Sequence, residues 1–122
     1  MTRYRHLLPA CLAAALPALS AAADPPVVEK AQVRERGGGW RFDVTLRHPD
    51  TGWEHYADGW RVLDINGVEL GMRVLHHPHE TEQPFTRSLD GVVLPRGVTR
   101  VQVQARCSVD GWAEPPVAVD LR

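Results

Sequence analysis

The chain is poor in cysteine, which excludes a fold held together by a network of disulfides. It has only two cysteines among 122 residues, Cys11 and Cys107. Very small extracytoplasmic domains depend on a denser set of disulfides than two cysteines can form. A chain of this length can bury one adequate core without such crosslinks. The sequence therefore predicts a single domain that is held together by packing.

The sequence also lacks an apolar run long enough to cross a membrane. The longest run, residues 7–19, reads LLPACLAAALPAL and has 13 residues, whereas a spanning helix needs about 20. Two arginines precede this run and small alanines follow it, which is typical of a cleavable signal peptide. We expect a signal peptide over residues 1–23 and a single domain over residues 24–122. That domain is expected to be periplasmic or secreted, without stable membrane insertion.

Cys11 offers a second interpretation of the same leader. The residues Leu8, Pro9 and Ala10 before it loosely resemble the lipobox of a bacterial lipoprotein. A lipidated cysteine follows the apolar stretch of its leader, whereas most of this stretch lies after Cys11. The sequence therefore argues against a lipid anchor at Cys11.

The chain has no excess of positive charge. Its formal net charge is −1, and this falls to −3 without the expected leader, which carries two basic residues and no acidic one. Binding to nucleic acid requires a concentrated positive field, and so does binding to an anionic membrane surface. The sequence therefore predicts no nucleic-acid partner and no polybasic membrane contact.

Motifs of the common enzyme classes are missing as well. The sequence has no G-x-S-x-G, H-E-x-x-H, C-x-x-C, phosphate-binding loop or dinucleotide fingerprint. We therefore expect a non-catalytic binding or interaction module with an unknown protein or metal-ion partner. An enzyme would instead need a cavity that joins at least two of five side chains. These are His48, His55, His79, Glu80 and Glu82.

What the sequence does have is a strong two-residue periodicity. Apolar and polar residues alternate strictly over residues 40–47, and again over 101–107 and 117–121. This alternation is typical of half-buried strands. Because Cys107 lies at an apolar position of its strand, we expect it to be buried as a small hydrophobic residue.

Turn residues separate these segments at regular intervals. The pair Asn66 and Gly67 lies between two apolar runs and predicts a hairpin with a type I′ turn, in which both residues have positive φ. Gly-rich and Pro-rich positions mark further reversals. About seven short strands without a helical pattern predict an antiparallel β-sandwich of immunoglobulin or fibronectin-III type.

A segment rich in histidine and glutamate, residues 76–89, lies between two predicted strands. Its sequence is HHPHETEQPFTRSL. Pro78 favours an extended backbone, in which residues two apart project to the same side. We therefore expect His77 and His79 to face together, and one interpretation of this pair is a site for a copper or zinc ion. The residues that can complete the ligand set are Glu80, Glu82, His48 and His55.

The same segment also permits a simpler interpretation as an ordered surface loop. Its glutamates and Arg87 then form a local ion pair, and Phe85 anchors the loop in the core. On this interpretation residues 76–89 are an interaction surface to which His76, Phe85 and Arg87 contribute.

The segment HPHETEQPFTRSL, with its flanks YADGWRVLDINGVELGMRVL and GVVLPRGVTRVQVQA, resembles small exported bacterial proteins of unassigned function. These proteins carry an HPHxxEQPFTRS-like segment. The resemblance covers about residues 56–112. It implies an exported single domain, and it implies no activity, cofactor or catalytic residue.

Overall fold

The computed structural model describes residues 24–121, and these residues form two antiparallel β-sheets. The expected leader with Cys11 and the last residue lie outside the described residues. The strands are β1 (Val27–Arg36), β2 (Gly39–Arg47), β3 (Ala57–Leu63), β4 (Glu69–Val74), β5 (Phe85–Val92), β6 (Arg100–Cys107), β7 (Gly111–Trp112) and β8 (Val117–Asp120). No helix occurs in this part of the chain, so the all-β prediction is confirmed.

The two sheets have the connections of an immunoglobulin-type sandwich. One sheet has the order β1-β2-β5. The other has the order β4-β3-β6, and both β7 and β8 pair with the remaining edge of β6. The chain therefore crosses between the sheets three times, after β2, after β4 and after β5, which confirms the predicted sandwich. There are eight described strands where about seven were predicted, because a two-residue strand, β7, precedes the last one.

The core lies between the two sheets and consists of the inward-facing residues of the alternating segments. Trp60 of β3 is fully buried at its centre. Each large apolar side chain that is buried contributes about 1.5–3 kcal/mol, so the alternation is the main source of stability. The other fully buried apolar residues of the strands are Phe42, Val44, Leu46, Ala57, Val62, Val101, Val103 and Cys107.

The β3–β4 hairpin forms where it was predicted, but its turn is different. Only Gly67 has a positive φ, at 84°, so the type I′ prediction, which also required it of Asn66, is wrong. Asp64 explains the difference, since its Oδ1 accepts hydrogen bonds from the backbone N–H groups of Asn66 and Val68, at 2.8 and 2.9 Å. This capping carboxylate stabilises a longer loop in which one positive φ is sufficient.

Three loops meet at one end of the sandwich because β2, β4 and β6 all run towards it. These loops are residues 48–56, 75–84 and 108–110. Hydrogen bonds join them to one another and to β3: the Ser108 N–H donates to the Tyr56 carbonyl at 2.9 Å, and the Leu75 N–H to the Asp58 carbonyl at 3.0 Å.

Among residues 24–121, no helix has the length and apolar character needed to cross a membrane.

Candidate metal centre

Two histidines and a cysteine meet at the end of the sandwich where the three loops converge. One ligand atom each from His48, His55 and Cys107 lies within 4.8 Å of the other two. His48 and Cys107 are completely buried, and His55 is partly buried. The two imidazole rings pack edge to face with centroids 4.8 Å apart. This is a compact group of nitrogen and sulfur donors.

The core pattern itself brings two of these residues together. His48 comes two residues after Leu46, at the next inward-facing position beyond β2, and Cys107 is the last inward-facing residue of β6. Both strands end at the same end of the sandwich, so both side chains lie at the edge of the core. His55 is held by the tight turn before β3, where its N–H and C=O groups pair with Gly52 and Thr51.

A buried carboxylate fixes the orientation of the His48 ring. The Nδ1 atom of His48 lies 2.6 Å from Oδ1 of Asp50, and neither side chain is exposed. A carboxylate only accepts hydrogen bonds, so Nδ1 donates, and the lone pair of the neutral ring is on Nε2. That Nε2 atom is buried and has no hydrogen-bond partner among the described residues. Leaving such an atom unpaired costs about 1–3 kcal/mol, whereas a bound metal ion would satisfy it.

Asp110 contacts the cluster at Cys107 and His55, whereas Asp50 contacts it at His48. Its Oδ2 accepts a hydrogen bond from the Cys107 thiol at 3.5 Å, and its backbone N–H donates to the same sulfur at 3.2 Å. The Nε2 atom of His55 lies 3.5 Å from the sulfur and 3.9 Å from Asp110 Oδ2. The side chains of His55 and Asp110 are 25% and 32% exposed, so the cluster opens to solvent on this side.

Residues 76–84, the first part of the segment rich in histidine and glutamate, are hydrogen-bonded to the loop that carries His48 and Asp50. Asp50 Oδ2 accepts the backbone N–H of His79 at 2.8 Å. Gln83 makes two further links, since its Oε1 accepts the N–H of His48 at 3.0 Å and its Nε2 donates to the carbonyl of His79 at 2.9 Å. The segment therefore holds the loop that carries His48 and Asp50.

His77 and His79 face together as expected, with ring centroids 4.6 Å apart. However, Nη2 of Arg87 donates to Nε2 of His79 at 2.8 Å. A guanidinium only donates, so the proton of the neutral ring is on Nδ1, which is buried without a partner in residues 24–121. Burial and the positive charge of Arg87 lower the pKa of His79. Because neither nitrogen of His79 has a free lone pair, this arrangement does not favour a copper or zinc ion at His77 and His79.

The remaining residues of the predicted sites are spread over the same loop. Glu80 is exposed, and Glu82 lies 3.8 Å from Arg87 as a surface ion pair. Phe85 is only 2% exposed, and its ring stacks on His79 with centroids 3.9 Å apart. His76 is exposed, so of the three residues expected to form an interaction surface it is the most accessible, while Arg87 is half-buried.

The sequence did not identify the cluster itself. Cys107 was assigned to the core alone. His48 and His55 were named as additional ligands for the loop histidines and among the five side chains that could line a catalytic cavity, but never together with Cys107. His55 and Cys107 are 52 residues apart, so no local spacing connects them. The signal that could have found them is positional: His48 and Cys107 extend two apolar alternations towards the same end of the sandwich.

The fold and the cluster define an antiparallel β-sandwich with a His–His–Cys group at one end. No protein-family profile matches the chain, and no solved structure matches it. A protein of Halomicrobium mukohataei named "Putative lipoprotein" is 40% identical to the chain over 84 residues. The match covers 69% of this chain and 41% of the relative, so it spans less than half of the relative's length.

This relative bears on two of the expectations from sequence. The name of the relative states no activity, which agrees with the resemblance to proteins of unassigned function. The match does not show that the HPHxxEQPFTRS-like segment marks a family. The name also conflicts with the part of the expected localisation that argued against a lipid anchor, and that part of the expectation is wrong. It was based only on how the apolar residues are distributed around Cys11, and that distribution is a weak test of lipid attachment.

Proposed function

We propose that the chain is a non-catalytic metal-binding module that takes a copper or zinc ion at His48, His55 and Cys107. The observation that carries the proposal is the buried Nε2 atom of His48. It has no hydrogen-bond partner in the described part of the chain, and its ring belongs to the cluster that contains the thiol.

The donor atoms suit these metals. Imidazole and thiolate both bind zinc and copper, and a His₂Cys set is a known copper arrangement. With bonds of about 2.3 Å to sulfur and 2.0 Å to nitrogen, a tetrahedral zinc site separates the two donors by about 3.5 Å. The distance between Cys107 Sγ and His55 Nε2 is 3.5 Å. The largest separation in the cluster is 4.8 Å, so binding requires an inward movement of about 1 Å.

The surroundings of the cluster also support metal binding. Metal-binding histidines commonly donate their other ring N–H to a carboxylate, as His48 does to Asp50. The partial exposure of His55 and Asp110 provides a path by which an ion can enter. In this proposal residues 76–84 hold His48 in place. That the exposed face of these residues binds a protein partner stays a prediction from sequence.

Calorimetric titration of the full chain with Zn(II) and Cu(II) tests the proposal. We expect one ion per chain with micromolar or tighter affinity, and we expect Cys107→Ser and His55→Ala to lose most of it. The matched controls, Cys11→Ser and His76→Ala, should bind as the unsubstituted chain does. Affinity no better than millimolar, or full affinity in folded Cys107→Ser, would refute it.

A further inference from the structure

Asp110 contacts two of the three proposed ligands but is not itself one of them. Its Oδ2 lies 3.5 Å from Cys107 Sγ and 3.9 Å from His55 Nε2. In a tetrahedral zinc site, a sulfur and an oxygen ligand are about 3.6 Å apart, and a nitrogen and an oxygen about 3.4 Å. The carboxylate therefore stands close to where a fourth ligand would bind.

We infer that Asp110 completes the metal centre as its fourth ligand and makes it selective for divalent ions over Cu(I). The inference rests on the proposed function, because it concerns the same site. A carboxylate oxygen is a hard donor, whereas Cu(I) is a soft ion that favours thiolate and thioether ligands.

The charge of the ligand set points in the same direction. Two neutral imidazoles, one thiolate and one carboxylate carry a total charge of −2, which a divalent ion cancels and Cu(I) does not. Two of the proposed ligands are completely buried, and uncompensated charge is costly in such surroundings. The buried Asp50 carboxylate, hydrogen-bonded to His48, adds further negative charge and also favours the divalent ion.

The substitution Asp110→Asn removes the negative charge of the carboxylate and so tests its contribution alone. Asparagine has nearly the same shape as aspartate, and the backbone N–H that donates to Cys107 Sγ is retained. A matched control is Asp120→Asn. Asp120 is paired with Arg100 at the start of β6, and Cys107 is at the other end of that strand.

The test measures the Zn(II) and Cu(I) dissociation constants of the full chain by competition with chelators of known affinity. We expect Asp110→Asn to weaken Zn(II) binding about tenfold or more and Cu(I) binding less than about threefold, with Asp120→Asn unchanged. Equal losses for both ions, or unchanged Zn(II) affinity, would overturn the role of Asp110. If the unsubstituted chain binds neither ion, the proposed function fails first, which distinguishes the two failures.

Discussion

The Nδ1 atom of His48 lies 2.6 Å from Oδ1 of Asp50, and both side chains are completely buried. The same carboxylate accepts the backbone N–H groups of Ala57 and His79, at 2.9 and 2.8 Å. Asp50 thus joins the start of β3 and the loop after β4 to the ring of His48. In the proposed site this leaves Nε2 of His48 as the ligand atom of the ring, because Nδ1 is already hydrogen-bonded to Asp50.

Asp50→Asn should therefore weaken metal binding without removing a ligand. The asparagine amide can present its NH₂ group to His48, which removes the constraint on the ring, and the change should lower Zn(II) affinity about 10–100-fold. Competition titration of the full chain measures this loss. Asp90→Asn, at an exposed position of β5, is the control and should have no effect. Equal affinities for Asp50→Asn and the unsubstituted chain would show that Asp50 does not orient the ligand.

Gln83→Ala should destabilise the metal-free protein. The side chain bridges the backbones of His48 and His79, and its loss leaves partly buried polar groups without partners. We expect the free energy of unfolding to fall by about 1–3 kcal/mol in denaturant titrations. Glu82→Ala removes only an exposed ion pair and should change it by less than about 1 kcal/mol. Equal effects of the two substitutions would contradict the bridging role.

His77→Ala distinguishes the cluster from the site expected in residues 76–89. The His77 side chain is exposed, and its Nδ1 lies 3.2 Å from the carbonyl of Pro78. We expect His77→Ala to leave Zn(II) affinity unchanged, whereas His55→Ala should weaken it strongly because a ligand is lost. The reverse result in calorimetry would favour the loop histidines.

His79 should make the stability of the metal-free protein depend on pH. Its pKa is lowered from the ordinary value of 6.5 by burial and by Arg87. As the pH falls below 6.5, the unfolded chain binds a proton that the native chain resists, so the free energy of unfolding decreases. The contribution of His79 to the free energy of unfolding is therefore complete above pH 6.5 and is lost as the pH falls through the lowered pKa.

His79→Gln should flatten that part of the pH profile, since glutamine does not titrate and its backbone N–H still donates to Asp50. Thermal melts between about pH 8 and pH 5 measure the difference from the unsubstituted chain. His76→Gln, at an exposed position, should retain the original slope. An identical slope in His79→Gln would mean that His79 does not titrate in this way.

The fold was largely predictable because alternation reports directly on burial. The strand around Phe42 and Val44 and the strand around Val103 appear where the pattern places them. The hairpin at Gly67 was also predicted, but its turn type depends on the Asp64 side chain, which a dipeptide signal does not consider.

The candidate site was less predictable because its members are far apart in the sequence: His48 and His55 lie in the loop after β2, and Cys107 lies at the end of β6. The proline rule placed His77 beside His79 correctly, but nothing in the local sequence indicated that Arg87 would occupy His79 Nε2. The meeting of His55 with Cys107 requires the pairing of β3 with β6, in which Ala57 lies opposite Cys107. Only the assembled sheet supplies that relationship.

X-ray absorption at the zinc edge of the Zn(II)-loaded full chain tests the central claim most directly, because it identifies the atoms bound to the metal. We predict one sulfur at about 2.3 Å and nitrogen or oxygen ligands at about 2.0–2.1 Å, with the sulfur lost in Cys107→Ser and retained in Cys11→Ser. A ligand shell without sulfur in the unsubstituted chain would contradict the assignment of the metal to His48, His55 and Cys107.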